Sequence, residues 1–269
     1  FLGAKPNIFD AKELIPLEPA LLLTSPILSL SQMQQLENRQ HLQRHKALVV
    51  PQIFEMVFER KKGLKGLESA LKKIQGDVLE AVTQGVSILI LSDRTASDEA
   101  LPIPSLLALR KVVNALNHSG LRLRASIVIH SGEVRTPHHV AALIGFGAAA
   151  VCPYLALEIA AYAHHPRLKK VFTAKKEANL IQALENGLLK IMSKSGISVV
   201  RSYQSAKRFT SLGLGPKLSE TFFPGQSSPI GGIELPELVQ LILADADQIP
   251  PSGLSNTYQF REHNKELLG

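Results

Sequence analysis

The hydrophobic positions in the middle of the chain change period repeatedly between two and about 3.6 residues. Apolar side chains recur at three- and four-residue intervals over residues 64–81, which predicts an amphipathic helix ending at Gly85. Residues 86–91 form a nearly continuous apolar run, as expected for a strand covered on both faces. A second helix is predicted over residues 103–118, with Pro104 near its start. Strands and helices therefore alternate.

The next stretch contains a complete βαβ unit. A strand over residues 124–130 is followed by the polar turn 131–133, by a helix beginning near Pro137, and by a strand over 148–151. With a first strand expected over residues 46–50, the order β, α, β, α, β, α, β predicts an α/β fold with a parallel sheet and right-handed crossovers. Functional groups in such folds lie at the carboxyl ends of the strands.

The two ends of the chain follow a different pattern. Residues 1–28 contain four prolines without periodicity, which predicts an extended strap. We expect its apolar side chains to pack on absent neighbours and to promote self-association of this chain. Those side chains are Leu21, Leu22, Leu23, Ile27 and Leu28. We therefore expect one domain over residues 29–246, and a polar linker over 247–269.

The remaining elements are predicted from shorter patterns. Ser31 and Gln34 resemble a capping box that opens a short helix. Beyond residue 154 the predicted elements are helices at 154–163, 176–194, 203–211 and 235–245, a strand at 197–200, and a glycine-rich loop at 225–232.

Charge and cysteine content narrow the possible functions. The chain has 30 Lys and Arg against 23 Asp and Glu, a formal net charge of +7, but the cations are scattered and there is no Trp, so nucleic-acid binding is not expected. The single cysteine, Cys152, cannot form an intrachain disulfide or a multi-cysteine metal site. No apolar run approaches the ~20 residues that a membrane span needs. The single cysteine fits a reducing compartment, the cytoplasm or a plastid. Because the chain begins at Phe1 rather than Met, we interpret it as a piece of a longer protein.

Two alternatives are open for the turn 131–133. Its polar sequence, followed by the small residues 147–151, resembles the last two βα units of flavin-binding barrels, where backbone amides hold a phosphate. Cys152 and Pro153 argue against an FMN site, since proline has no N–H and the neighbouring side chains are bulky. A barrel relative without the cofactor is the favoured interpretation. Ser131 lacks the GxSxG context of a hydrolase nucleophile.

Other polar residues also have a structural and a functional interpretation. His138 and His139 lie close to Glu133, but neighbouring helical residues point about 100° apart, so helix capping is favoured over a metal site. Asp93 and Arg94 follow a buried strand and are interpreted as a structural ion pair, with recognition of a substrate carboxylate as the alternative.

Several motifs occur together in the order found in one family. They are LTSPILS at 23–29, ILILSDR at 88–94, IPSLLAL at 103–109, the segment 131–158, NGLLKIMSKSGIS at 186–198 and YQFRE at 258–262. Jointly they resemble the central domain of the large chain of glutamate synthase. The resemblance implies an α/β fold of parallel βα repeats that is flavin-barrel-like and related to TIM barrels, with an extended strap. Both a complete and an incomplete barrel are compatible with it.

The resemblance also implies a function. Glutamate synthases are oxidoreductases that make L-glutamate from L-glutamine and 2-oxoglutarate. In that family the central domain connects a glutamine amidotransferase domain to an FMN synthase domain with an iron–sulfur cluster, contributes to ammonia transfer, binds no cofactor and is inactive alone. The electron donor, a nicotinamide or ferredoxin, is left open. A free-standing flavin- or phosphate-binding barrel enzyme is the rival, and a scaffold without a conduit role is a third alternative.

The resemblance selects candidate residues for a domain interface or conduit rather than for catalysis or metal binding. They are Ser131, Gly132, Glu133, His138, Lys190, Lys194, Gly225 and Ser228. The sequence departs from the family pattern at six positions. His130 stands where an acidic residue is common, Asn186 replaces lysine, Ser195 methionine and Ser205 glycine, and Gln226 and Pro229 replace threonine and arginine. The last two changes remove a hydroxyl and a cation from a loop expected to face the synthase domain.

Overall fold

The computed structural model describes residues 1–5, 21–38, 49–162, 172–226 and 228–247. The helices are α1 (Leu30–Glu37), α2 (Gly63–Thr83), α3 (Ser105–His118), α4 (Pro137–Gly145), α5 (Tyr154–Tyr162), α6 (Thr173–Lys194), α7 (Val200–Tyr203), α8 (Pro216–Phe222) and α9 (Leu235–Asp247), with a 3₁₀ turn at Arg60–Lys62. The strands are β1 (Pro51–Glu55), β2 (Val57–Glu59), β3 (Ile88–Ser92), β4 (Ala100–Pro102), β5 (Ser126–His130), β6 (Ala150–Cys152), β7 (Leu212–Leu214) and β8 (Ile230–Ile233).

The central sheet has the strand order β1-β3-β5-β6, and every pair in it is parallel. Each strand thus lies beside the next strand of the βα series, so the sheet is wound in one direction. Strands β2 and β4 form a separate antiparallel pair, and β7 and β8 a short parallel pair. The predicted α/β class with parallel βα repeats is confirmed.

Alternating side chains of the sheet enter two different hydrophobic clusters. Leu89, Leu91, Ile127 and Ile129 face one cluster, which also contains the apolar sides of α2, α3 and α4. Ile88, Ile90 and Val128 point to the opposite face, as the period of two requires. That second face is covered by Leu2, Leu28, Met33 and Leu36. Both faces of the sheet are therefore covered by this chain itself.

The last residues of the predicted strap lie along β6, with Ile27 in the first cluster and Leu28 in the second. The Leu28 amide donates to the Val151 carbonyl over 2.9 Å, and the Val151 amide donates to the Pro26 carbonyl over 2.8 Å. Ile27 and Leu28 are each only 1% exposed, so the expectation that they are stranded in water is wrong. The physical reason is that β6 would otherwise have unpaired backbone groups at its edge, and the sheet would have an apolar face exposed to water. The strap forms hydrogen bonds with the edge of β6 and covers the apolar face. Leu22 is 68% exposed, whereas Leu21 and Leu23 are partly buried.

Several predicted boundaries are also corrected. The first strand lies at Pro51–Glu55, after the predicted run 46–50, of which residues 46–48 are outside the described part. The capping box of α1 is formed by Ser29 and Gln32 instead of Ser31 and Gln34. The predicted strand at 197–200 is wrong because Val200–Tyr203 is helical, and the predicted helix at 203–211 is absent from these described residues. Tertiary contacts outweighed weak local preference in these short segments.

The contact between α4 and α6 requires a residue without a side chain. A Cβ atom added to Gly187 would overlap the ring of Pro137, the first residue of α4. We expect Gly187→Ala to destabilise the chain by about 1–2 kcal/mol, because overpacking costs more than the gain in helix propensity. Gly76→Ala is the matched control, since nothing lies within 4 Å of the added atom in the middle of α2. It should instead stabilise by about 0.5–1 kcal/mol.

Urea unfolding of the two variants tests this contact. Equal stabilisation by both alanines would show that α6 can move away from Pro137 without loss.

Candidate functional site

The carboxyl ends of β3 and β5 bring together the polar residues that the sequence places after each strand. Asp93 follows β3, and Ser131 and Gly132 follow β5. The Asp93 carboxylate accepts hydrogen bonds from the Ser131 hydroxyl over 2.5 Å and from the Gly132 amide over 3.0 Å. The Tyr154 hydroxyl, at the start of α5, is a third donor to it. The turn therefore directs its donors at a carboxylate of the same chain.

The second acidic residue of the turn caps a helix. The Glu133 carboxylate accepts from the Ser105 backbone amide over 2.9 Å and also from the Ser105 hydroxyl. Ser105 is the first residue of α3, so this carboxylate satisfies an otherwise unpaired amide and lies at the positive end of the helix dipole. The Ser105 and Ser131 hydroxyls are 3.2 Å apart and join the two carboxylates in one network. The sequence contained no signal for the role of Ser105.

Burial dominates the electrostatics of this network. It raises the pKa of Asp93, and the charge of Glu133 acts in the same direction, while the three hydrogen bonds oppose the shift. Burial also raises the pKa of the neighbouring Cys152 thiol to about 12, helped by Glu37 and Glu177. A thiol with this pKa stays protonated near neutral pH and is a poor nucleophile.

The predicted ion pair between Asp93 and Arg94 is wrong. The Arg94 guanidinium donates to Glu158 over 2.9 Å and lies 4.9 Å from the centre of the Tyr154 ring. Asp93 instead turns inward to Ser131 and Gly132. Consecutive residues after a strand point in different directions, which separates the two side chains here.

His130 lies under this network at the end of β5. Its Nδ1 is 3.3 Å from the Ser92 hydroxyl and 3.4 Å from a Glu37 carboxylate oxygen. Its ring meets the Tyr154 ring edge to face, with the centroids 5.1 Å apart. Burial, with Arg94 as the lesser cause, lowers the pKa of His130 to about 4. The Glu37 carboxylate favours the charged ring, but burial outweighs it and also raises the pKa of Glu37 itself.

The lowered pKa of His130 predicts a loss of stability in acid. The unfolded chain binds the proton near pH 6.5 and the folded chain only near pH 4, so His130 contributes stability above pH 6.5 that is lost as the pH falls toward 4. Between pH 7.5 and 4.5 the loss should be about 2 kcal/mol. The His130→Gln variant should lack this component.

Urea unfolding at both pH values measures the difference. Parallel pH dependence in the two proteins would contradict the assignment to His130.

The other candidate residues do not join this network. His138 is exposed on α4 with its ring centre 5.9 Å from that of Phe209, and His139 accepts from the Arg135 amide. Lys190 and Lys194 are exposed on α6, beside Leu189, which is 58% exposed. The last two candidates, Gly225 and Ser228, line a pocket of about 440 Å³ between α8 and β8. The eight candidates thus lie in four places: the turn 131–133, the exposed side of α4, the exposed side of α6, and this pocket.

A flavin phosphate does not fit at the turn 131–133. The Gly132 amide already donates to the Asp93 carboxylate, and a Cβ at Gly132 would lie 3.0 Å from the Tyr154 hydroxyl oxygen. Tyr154 and Leu155 therefore fill the space over the glycine. A phosphate there would also lie beside the carboxylates of Asp93 and Glu133, which repel it.

Neither a group of metal ligands nor a membrane-spanning helix is found among the described residues 1–5, 21–38, 49–162, 172–226 and 228–247. Within these ranges no three His, Cys, Asp or Glu side chains are grouped closely enough to hold a metal ion. No helix in the same ranges has the length and apolar content needed to cross a membrane.

Fold and site together define an α/β domain of parallel βα repeats whose strand ends are closed by its own hydrogen bonds. The chain belongs to the glutamate synthase central domain family, which it matches over residues 1–215. It is 36% identical over 229 residues to the chloroplastic ferredoxin-dependent glutamate synthase of Oryza sativa subsp. japonica, covering 80% of this chain and 14% of that protein. The large chain of the NADPH glutamate synthase of Bacillus subtilis (strain 168) is 39% identical over 176 residues, covering 65% of this chain and 11% of that protein.

The chain thus spans about one seventh of the length of the rice relative. Among solved structures, a flavocytochrome b2 mutant with benzoylformate matches 66% of this chain and 38% of that chain with a TM-score of 0.41 and 16% identity. A mandelate oxidase with benzoyl-formic acid matches 57% of this chain and 37% of that one with a TM-score of 0.38 and 16% identity. These likenesses are too low to carry an argument about function.

Proposed function

We propose that this chain is the non-catalytic central domain of a glutamate synthase large chain. It would connect the glutamine amidotransferase and FMN synthase domains and contribute to ammonia transfer during L-glutamate synthesis from L-glutamine and 2-oxoglutarate. Family membership over residues 1–215 supports the connecting role. The part concerning ammonia rests on the family alone. FMN and the iron–sulfur cluster would belong to the neighbouring synthase domain, and the parent would work in the cytoplasm or in a plastid.

The observation that carries the non-catalytic assignment is the closed network at the carboxyl ends of the strands. An active site at this position needs polar groups that are free to meet a substrate. Here the buried Asp93 carboxylate is occupied by Ser131, Gly132 and Tyr154, and one oxygen of the exposed Glu133 carboxylate is bound to Ser105. This geometry favours a structural domain over the rival, a flavin enzyme with an open turn.

Two assays on the 269-residue chain test this proposal. With glutamine, 2-oxoglutarate and either reduced ferredoxin or NADPH, we expect no glutamate above the blank. In a fluorescence titration, FMN at micromolar concentration should not bind. Glutamate formation would contradict the non-catalytic assignment, and a yellow protein or saturable FMN binding would favour the rival.

The interface role of α6 is tested in the full-length synthase that contains this chain. Leu189 exposes apolar surface on α6 and Lys190 and Lys194 lie beside it, as lysines would at the polar rim of a domain interface. Changing both lysines to glutamate should lower the glutamate formed per glutamine hydrolysed. The matched control changes the exposed Lys65 and Lys72 of α2. An unchanged ratio in the α6 variant would support a scaffold without a conduit role.

A further inference from the structure

A pocket of about 250 Å³ lies at the end of the molecule opposite to the turn 131–133. Its walls come from the last turns of α3, the end of α4 and the segments around Lys207 and Gln226. Helices α3 and α4 end where β5 and β6 begin, so this pocket opens at the amino ends of the strands. It adjoins the pocket near Ser228, because Phe223 and Gln226 line both, and Phe209 in its wall packs against the His138 ring.

The pocket contains a partly buried cation with neutral partners. The Arg110 guanidinium donates from Nε to the Phe222 carbonyl over 3.0 Å, from Nη1 to the Phe146 carbonyl over 3.2 Å and from Nη2 to the Asn114 side-chain oxygen over 2.6 Å. A guanidinium has five N–H donors, so these bonds use only part of its capacity. None of the three acceptors carries a negative charge.

The charges around Arg110 are also positive. Lys207 lines the pocket, and its Nζ lies beside Gly225, where an added Cβ would be 2.7 Å away. Burial lowers the pKa of Arg110, and the Arg122 cation acts in the same direction. In the described part of the chain, no Asp or Glu lines the pocket. A partly desolvated cation without a counter-charge favours an anion as the occupant.

The other walls are aromatic. The Phe146 and Phe209 rings are stacked with centroids 5.4 Å apart, and the Phe146 and Phe223 rings meet edge to face at 5.2 Å. The Arg110 guanidinium carbon lies 5.7 Å from the Phe146 centroid. Gly145 permits this packing, because a Cβ there would lie 2.6 Å from the Phe209 ring. These walls offer contacts to a flat apolar group beside the cations.

The backbone at the mouth of this pocket is strained. Ser205 has φ 61° and Lys207 has φ 52°, and they are the two described residues other than glycine with positive φ. Both line the pocket. Left-handed conformations in such residues are unfavourable and are concentrated at ligand sites. Ser205 stands where the family has glycine, which adopts this conformation without strain, so the unfavourable backbone beside the pocket is a feature of this chain.

We propose that this pocket binds a small organic carboxylate that has a flat apolar part. The carboxylate would meet the unused donors of Arg110 and the Lys207 ammonium, and the apolar part would lie against Phe146, Phe209 and Phe223. The volume of about 250 Å³ is below the roughly 300–1,000 Å³ of pockets for drug-sized ligands, so the ligand is small. Inorganic phosphate would use the cations but not the aromatic walls. The proposal does not depend on the central-domain function.

Benzoate is the probe, with benzamide as its neutral isostere. Isothermal titration calorimetry of the chain should give a benzoate dissociation constant on the order of 1 mM, as expected for so small a ligand. Benzamide, acetate and phosphate should each bind at least about tenfold more weakly, because each lacks the charge or the apolar part. Amide NMR shifts caused by benzoate should centre on Phe146, Lys207 and Phe209.

Lys207→Gln tests the site without threatening the fold, since this side chain is exposed. It should weaken benzoate binding about tenfold, whereas Lys72→Gln, which removes an exposed lysine from α2, should leave it unchanged. Both variants should melt like the parent chain. Absence of binding at 20 mM benzoate, equal binding of benzamide, shifts centred elsewhere, or unchanged affinity in Lys207→Gln would each overturn the proposal.

Discussion

Replacing Leu28 by alanine should lower the free energy of unfolding by about 3 kcal/mol. Leu28 is 1% exposed. It belongs to the cluster that covers the second face of the sheet, which also contains Ile90 and Val128. Removing a buried leucine side chain loses its transfer free energy and leaves a cavity, which costs about 2–5 kcal/mol. The effect tests whether the end of the strap belongs to this domain, contrary to the expectation from sequence.

Leu22→Ala is the matched control from the same segment. Leu22 is 68% exposed, so its truncation should change the stability by about 0.5 kcal/mol or less. Urea unfolding followed by far-ultraviolet circular dichroism compares the two variants. If the Leu28→Ala protein is as stable as the parent chain, the strap does not contribute to the core of this domain. The predicted domain boundary at residue 29 would then be correct.

Replacing Asp93 by alanine should cost about 2–3 kcal/mol, the second large effect. The substitution leaves the Gly132 amide and the Ser131 and Tyr154 hydroxyls without their common acceptor. Buried donors left unpaired cost about 1–3 kcal/mol each, although rotation of the hydroxyls and release of a buried carboxylate offset part of the sum. The loss should be accompanied by faster hydrogen exchange of the Gly132 amide.

Asp93→Asn distinguishes the hydrogen bonds from the charge. Its amide oxygen can accept from Gly132, and its NH₂ group can donate to the Ser131 hydroxyl, so we expect a loss of about 1 kcal/mol or less near neutral pH. Equal losses in the alanine and asparagine variants would mean that the negative charge, rather than the acceptor, holds the turn together.

The regular part of the fold was predictable because its local signals are strong. The apolar period of α2, the continuous apolar runs of β3 and β5, and Pro137 at the start of α4 all indicate the structure that is observed. The antiparallel pair of β2 and β4 was not predicted. Its strands have three residues each, too few to show a period.

The site was predictable in part. Asp93 and the turn 131–133 follow parallel strands, and the carboxyl ends of such strands meet, so their proximity follows from the fold. The hydrogen-bond partners of the Asp93 and Glu133 carboxylates could not be predicted from the sequence. Ser105 lies far from Glu133 in sequence, and only the packing of α3 against the sheet brings its amide to the carboxylate. The anion pocket was missed because Arg110 and Lys207 are distant in sequence and belong to no motif.

Sequence alone determined the alternation of strands and helices from α2 to β6, the parallel sheet and the family, because periodicity and motif order can be read along the chain. Three other features depended on the tertiary structure. One is the segment that covers the second face of the sheet, and another is the hydrogen bonding of the turn 131–133 to Asp93. The third is the pocket in which Arg110 and Lys207 lie together without an acidic residue. Each depends on contacts between residues far apart in sequence. Such contacts form because the folded molecule buries apolar surface and hydrogen-bonds its buried polar groups. They cannot be read from a local sequence pattern.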